Sequence, residues 1–242
     1  MRFQIDFHLE EQKIPSDYRR VIISFIKNAL TKYNNGEFFD LYYAPGKTKP
    51  FAFAPMFSSI TFNADAATVP YKRFRLVLST GELRTAIVLY NSLNLQRGIP
   101  FKMPMANAMT LTAIRKLHET VITKDRARFK LLSPLCIREH DHEANTDQYY
   151  YIESPGFHKA FSNVITTQLK QAFPQLDEQI LTQTSIKPIQ CKKTVVKHHS
   201  QMIEATIGTV EITGDEVILN HLYLNSLGSK RSAGFGLLEN ID

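Results

Sequence analysis

Residues 2–9 read Arg2-Phe3-Gln4-Ile5-Asp6-Phe7-His8-Leu9, and residues 18–33 carry Tyr18, Val21, Ile22, Phe25, Ile26, Ala29, Leu30 and Tyr33 at i, i+3, i+4, i+7 spacing. The first stretch alternates apolar with polar side chains, the period of a strand buried on one face. The second keeps one unbroken apolar stripe, the mark of an amphipathic helix. Pro15-Ser16-Asp17 supplies its start signal and Asn35-Gly36 its stop.

The pattern extends outward from this pair. After a turn at Ala44-Pro45-Gly46-Lys47, the stretch Lys49-Pro50-Phe51-Ala52-Phe53 reads as a strand, with Ile60-Thr61-Phe62 as its continuation. Phe74 to Leu78 is a further strand, and Ser79-Thr80-Gly81-Glu82 caps a helix running through Ile87 and Tyr90 to about Leu93. Arg97-Gly98 ends that unit, and a strand follows over 107–118. The order is βαββαβ, a ferredoxin-like unit.

The second half repeats it. A strand-like stretch covers 126–138, with Phe129 to Ile137 as its strand. A helix runs from Pro155 to Phe173, and 187–199 with 202–213 form a strand pair. In the latter, Ile203, Ala205 and Ile207 share a parity that switches at Gly208 to Val210 and Ile212, predicting a bulge. Gly214-Asp215 starts a short helix and Gly236 to Glu239 closes as a strand. The expected fold class is α+β, with two tandem ferredoxin-like units over residues 1–120 and 121–242.

Composition narrows the function classes. At 43% hydrophobic and 21% charged residues, the chain is excluded from disorder, collagen-like repeats and coiled coils. No apolar run approaches the roughly 20 residues of a membrane span, and the N-terminus does not read as a signal peptide, so a cytoplasmic protein without membrane partners is expected. Cys136 and Cys191 are too few and too far apart for a disulfide scaffold or a zinc site, and no metal or cofactor is expected. Glu139-His140-Asp141-His142-Glu143 looks like a metal cluster but has no matching cluster elsewhere, so it reads as a solvated loop.

Charge points to an anionic partner. The balance is 29 basic against 23 acidic residues, a net +6. Residues 1–110 hold 14 Lys/Arg against 8 Asp/Glu, and the remainder is neutral. The outer face of the first helix, including Lys27, is basic. Further basic runs are Arg126, Arg128 and Lys130, then Lys192, Lys193 and Lys197 before His198-His199, then Lys230-Arg231. Each run alone reads as a solvated face; together they suit nucleic acid. Tyr149-Tyr150-Tyr151 suits base stacking or ordinary strand packing. His118 and His221 sit in apolar segments and read as structural.

The last motif is Leu227-Gly228-Ser229-Lys230-Arg231-Ser232-Ala233-Gly234-Phe235-Gly236. Its glycines let backbone N–H groups converge, and Lys230 and Arg231 add charge for a phosphate. It is neither a nucleotide P-loop nor a dinucleotide fingerprint, because the order is helix–loop–strand. With Gly214-Asp215-Glu216 and Leu222-Tyr223 before it, the segment resembles the C-terminal signature of the CRISPR precursor-RNA endoribonucleases, the sixth Cas protein family of the RAMP superfamily. Leu132-Ser133-Pro134-Leu135 before Ile137-Arg138, Lys49-Pro50-Phe51-Ala52-Phe53, and Ile189-Gln190-Cys191-Lys192-Lys193 leading to Val195-Val196-Lys197-His198 support the likeness, which spans nearly the whole chain.

The resemblance implies binding of CRISPR repeat RNA and cleavage of precursor crRNA without a metal. The 2′-hydroxyl attacks the adjacent phosphate and leaves a 2′,3′-cyclic phosphate and a 5′-hydroxyl. Such chemistry needs a base, an acid and a cation for the phosphorane. The family site lies between the first helix, the turn after it and the glycine loop. Many members carry a histidine in that turn, but this chain has none between His8 and His118. Counting back from Lys49, the place falls on Tyr43. Tyr43, Lys47 and Lys49 are therefore the expected catalytic residues, with His198 as the alternative base. Lys27, Lys192, Lys193, Lys197, Gly228, Ser229, Lys230, Arg231, Gly234 and Gly236 are the expected RNA contacts. A non-cleaving RNA-binding RAMP subunit of an effector complex, and an unrelated double-ferredoxin module, stay open, as do other Cas proteins and a second copy of the chain as partners.

Overall fold

A computed structural model describes residues 1–45, 48–199 and 201–242, the side chain of Glu178 excepted. It divides into two compact units, one of Met1–Glu119 with Lys197–Gln201, the other of Thr120–Val196 with Met202–Asp242.

The first unit begins with strand β1 (Arg2–Leu9), a short β2 (Lys13–Pro15) and helix α1 (Tyr18–Lys32). Phe3, Ile5, Phe7 and Leu9 are all buried, and so are Val21, Ile22, Phe25, Ile26, Ala29 and Leu30 of α1, so the two sequence periods meet in one core. Each large apolar side chain so buried contributes roughly 1.5–3 kcal/mol. Asn34, Asn35 and Gly36 take positive φ and end α1 in a 3₁₀ turn. A second helix, α2 (Glu37–Tyr43), then starts with Glu37 and Asp40 in its first turn, where carboxylates suit the helix dipole. The sequence reading has no such helix. Its seven residues are too few to show a periodic stripe.

Strands β3 (Ala52–Met56), β4 (Thr61–Phe62), β5 (Ala66–Thr68) and β6 (Arg73–Ser79) follow, then α3 (Leu83–Asn94), β7 (Pro100–Met103) and β8 (Asn107–Lys116). Thr61–Phe62 does not continue β3 but joins a small separate sheet of order β2-β5-β4. The main sheet has order β3-β6-β1-β8-β7, antiparallel throughout. Setting aside the added edge strand β7, this is the ferredoxin-like arrangement.

The second unit holds β9 (Arg126–Leu131), the hairpin β10 (Ile137–Asp141) and β11 (Thr146–Tyr150), helices α4 (Phe157–Ala172) and α5 (Glu178–Thr182), β12 (Ser185–His198), β13 (Gln201–Thr213), α6 (Glu216–Asn225) and β14 (Leu238–Asn240). The last two residues of β12 and the first of β13 count with the first unit. Its sheet order, β12-β13-β9-β14, matches the first unit's four core strands. The single strand expected over Phe129–Ile137 is broken between Leu131 and Ile137, where Pro134 lies and Leu135 pairs with Thr206 instead. The stretch Glu139–Asp141, expected as a loop, is strand β10. Ile203 and Ala205 are buried before Gly208, and Val210 and Ile212 after it, so the parity does switch there. Gly208 has φ of 127° and lies against Gln190, where an added Cβ would sit 2.0 Å from the carbonyl oxygen. Both ferredoxin-like units expected from the sequence are present. Among the described residues, no helix is long and apolar enough to cross a membrane.

Candidate functional site

In the first unit the candidates converge on one ring. Tyr43 closes α2, Lys27 stands on α1 and Lys49 precedes β3. The ammonium of Lys27 lies 4.9 Å from the centroid of the Tyr43 ring, and that of Lys49 lies 5.0 Å from it. Both are cation–π contacts, and Phe39 stacks on the same ring at 5.4 Å. The Tyr43 hydroxyl is buried and makes no hydrogen bond to any described residue. Burial also pushes its pKa well above the ordinary phenol value. The phenol is thus held neutral and turned inward, a platform for cations rather than a proton donor. Lys49 is held below the ordinary lysine value, first by partial burial and then by the charge of Lys27. Lys47 lies outside the described residues.

The tip Lys197–Gln201 also counts with the first unit. His198 is 4% exposed, with Nδ1 3.4 Å from Asp17 Oδ1, while the backbone N–H of His199 donates to Asp17 Oδ2 at 3.0 Å. Lys197 pairs with Asp65 at 3.1 Å. The expected alternative base is therefore buried against a carboxylate, and the expected RNA contact Lys197 is already ion-paired.

In the second unit, the glycine loop is a folded turn. Gly228, Gly234 and Gly236 all have positive φ and are buried. An added Cβ at Gly236 would sit 1.9 Å from the carbonyl oxygen of Leu227, so glycine is required there. The loop's N–H groups are largely used inside the fold. Gly228 donates to the Gln168 side chain, Ser229 to Cys136, Gly234 to Arg231 and Gly236 to Pro134. The expectation that the glycines present donors to a phosphate does not match this arrangement. Arg231 turns inward as well, its guanidinium donating to the Asn225 carbonyl at 3.1 Å at the end of α6. Lys230 instead reaches the ring of Tyr149, 5.8 Å from its centroid. On β12, Lys193 pairs with Glu204 and lies 5.0 Å over the Tyr151 ring, and Lys192 is exposed.

Sequence reasoning passed over the hairpin face beside Lys230. The register sets Arg138 opposite Tyr149 and His140 opposite Asp147. Asp147 accepts from Arg138 at 3.1 Å to each oxygen, from the Tyr149 hydroxyl at 3.0 Å, and lies 2.8 Å from His140 Nδ1. Partial burial pushes the Asp147 pKa up, but hydrogen bonds from His140, Arg138 and Tyr149 outweigh it and hold the group at about 2. The alternation Arg138/His140 and Asp147/Tyr149 was the signal available. Among the described residues, no group of three or more His, Cys, Asp or Glu could hold a metal ion.

Comparison with known proteins now places the chain. The family described as CRISPR associated protein Cas6, C-terminal, matches residues 116–240. Searched against curated proteins, the sequence gives no significant match. Among solved structures, one described as a Cas6-related gene product from Pyrococcus furiosus superposes with a TM-score of 0.84 at 18% identity, covering 100% of this chain and 98% of that one. A structure described as an RAMP protein binding different RNA substrates gives a TM-score of 0.80 at 17% identity and covers 100% of both chains. A Thermus thermophilus Cas6 product complex gives 0.72 at 12% identity, again over 100% of both. At these identities the structural likeness shows the fold.

Proposed function

The chain belongs to the Cas6 family of CRISPR-associated proteins, and from that premise we propose that it binds CRISPR repeat RNA and cleaves precursor crRNA without a metal. The 2′-hydroxyl would attack the adjacent phosphate, the 5′-oxygen would leave, and a 2′,3′-cyclic phosphate and a 5′-hydroxyl would remain. The family match and the solved Cas6 product complex support RNA processing as the role.

The observation that carries the reading is the pair of ammonium groups gathered on the Tyr43 ring. Two like charges on one ring repel, and a phosphate is the ligand that would relieve the repulsion. Lys49, partly desolvated, is the proposed cation for the developing phosphorane charge, where a low-dielectric setting strengthens it. Lys27 would hold the same phosphate from α1. Tyr43 would fix both by its ring, and its buried hydroxyl would stay out of proton transfer. Lys192 and Lys230 remain as proposed contacts for the rest of the RNA.

The test is incubation of the protein with labelled repeat RNA in EDTA, followed by end-group analysis. One cut per repeat leaving a cyclic phosphate is expected, with none where a 2′-deoxy nucleotide precedes the scissile phosphate. Lys49→Ala should slow cleavage by about 10²–10³-fold, the size of one lost oxyanion contact. Cleavage of the deoxy substrate, or strict dependence on added Mg²⁺, would overturn the mechanism. No cleavage at all by the wild type would leave the non-cleaving RNA-binding subunit.

A further inference from the structure

The main sheet of the first unit has a face turned away from α1, and that face is charged. Phe7 and Phe74 stack on one another, and Phe7 meets Phe25 of α1 edge to face. Their chain neighbours Asp6 and His8, Arg73 and Arg75 point the other way, because side chains alternate along a strand. There they line an open cavity of about 680 Å³ together with Met56 and Arg115. We propose that this cavity is a second anion site of the first unit and binds a nucleotide, its phosphate on Arg73, Arg75 and Arg115 and its base against Met56.

Three arginines stand in the cavity against Asp6, the one carboxylate among the described residues that line it. The register sets Arg75 opposite Asp6 and Arg73 opposite His8. Asp6 lies 3.8 Å from Arg75 Nε, accepts from Arg115, and accepts from Gln4 Nε2 at 3.0 Å. One carboxylate thus orients two guanidinium groups but offsets the charge of only one. Each guanidinium carries five N–H donors, so both keep donors for a further acceptor. Arg73 has no ion pair among the described residues, and all three arginines are exposed. The planar fork of an arginine matches two oxygens of a phosphate. Met56 pairs with Arg75 across β3 and β6 and is half-buried, an apolar and polarisable neighbour for the flat face of a base. The volume is that of an ordinary small-ligand site.

The cavity is distinct from the Tyr43 cluster. Lys27 stands on α1, and α1 packs on the opposite face of this sheet, so the sheet lies between the two groups of cations. They cannot hold the same phosphate. The nucleotide in the cavity is therefore one remote from the cut in a bound RNA strand, or a free nucleotide, and both bring the same phosphate and base.

The test measures binding of three probes to the full-length protein: a labelled single-stranded octanucleotide made uncleavable by 2′-deoxy sugars, AMP, and polyglutamate. Arg73→Ala/Arg115→Ala leaves Asp6 paired with Arg75. It is compared with Lys13→Ala/Arg84→Ala, which removes the same charge from exposed positions outside the cavity. Octanucleotide binding should weaken at least about tenfold in the first variant relative to the second. Its logarithmic salt slope should fall by about 1.4, or about 0.7 for each lost phosphate contact. Arg73→Ala alone should lose about half of that slope, and it serves if the double variant does not fold. Arginine-dependent binding of AMP would make the source a free nucleotide, and its absence would make it a strand. If the protein cuts repeat RNA, the rate at saturating protein should stay within about threefold of wild type in Arg73→Ala/Arg115→Ala, which separates this site from the Tyr43 cluster. Equal binding of octanucleotide and AMP by the two double variants overturns the proposal. So does polyglutamate as the one probe that depends on the arginines, which would make the cavity a site for an acidic peptide.

Discussion

At the residue scale, the sequence placed His221 in an apolar segment, and its surroundings in the fold give it a measurable signature. Burial first, and the Arg231 charge second, lower its pKa to about 4 from 6.5. Asn225 Nδ2 lies 3.2 Å from His221 Nδ1, which suits a neutral ring accepting that N–H, and Phe173 packs at 5.0 Å. The folded state therefore binds fewer protons than the unfolded chain between these two values. Stability should rise with pH across that window, and fall on acidification from about 6.5 to 4 by up to about 3 kcal/mol from this group. Urea unfolding at a series of pH values should show this slope, and His221→Gln should flatten it. A variant as steep as the wild type would mean that the imidazole is not held neutral.

At the element scale, glycines of similar φ should differ in cost. Gly98 has φ of 77° with nothing within 4 Å of an added Cβ, and Gly236 has φ of 68° with Leu227 O at 1.9 Å. Gly98→Ala should lose about 1 kcal/mol, the price of a left-handed alanine. Gly236→Ala must also push apart the turn closed by Leu227 N–H on the Gly236 carbonyl, and should lose more than about 3 kcal/mol. Thermal unfolding of the two variants checks the difference, and equal losses would show that the loop yields without strain. The glycines were legible as a motif, whereas their hydrogen-bond partners were not. Pro134, Cys136 and Gln168 lie far from the loop in sequence and reach it through folding. The hairpin behaved alike. Arg138, His140, Asp147 and Tyr149 were visible as residues, but the pairing of His140 with Asp147 depends on the register across the Asp141–Thr146 turn.

At the scale of the whole molecule, the repeated βαββαβ order gives each unit a main core of its own, and among the described residues the two have none in common. One is built around Phe7, Phe25 and Ile26, the other around Phe129, Ile165 and Leu222. Ile26→Ala and Ile165→Ala should each cost about 2–5 kcal/mol, as expected for truncating a fully packed isoleucine. With no core residue in common among those described, the two losses should add within about 0.5 kcal/mol in the double variant. A larger departure from additivity in denaturant unfolding would show that the cores are coupled.

What the sequence determined by itself was the set of elements that carry long periodic patterns. Strand β1, helices α1, α3 and α4 and the repeated order follow from side chains one to four residues apart, because burial of one face is a local demand on spacing. The likeness of the glycine segment also lay in consecutive residues. What the tertiary structure alone decided was which polar groups remain available for chemistry. Tyr43 was singled out in the sequence by counting back from Lys49, but folding buried its hydroxyl and left the ring beneath two lysines. Lys197 and His198 lay in a basic run, and folding set them against Asp65 and Asp17. His140 lay in an apparent solvated loop, and strand pairing brought Asp147 to it. Burial and ion pairing depend on groups distant along the chain, so no local pattern records them.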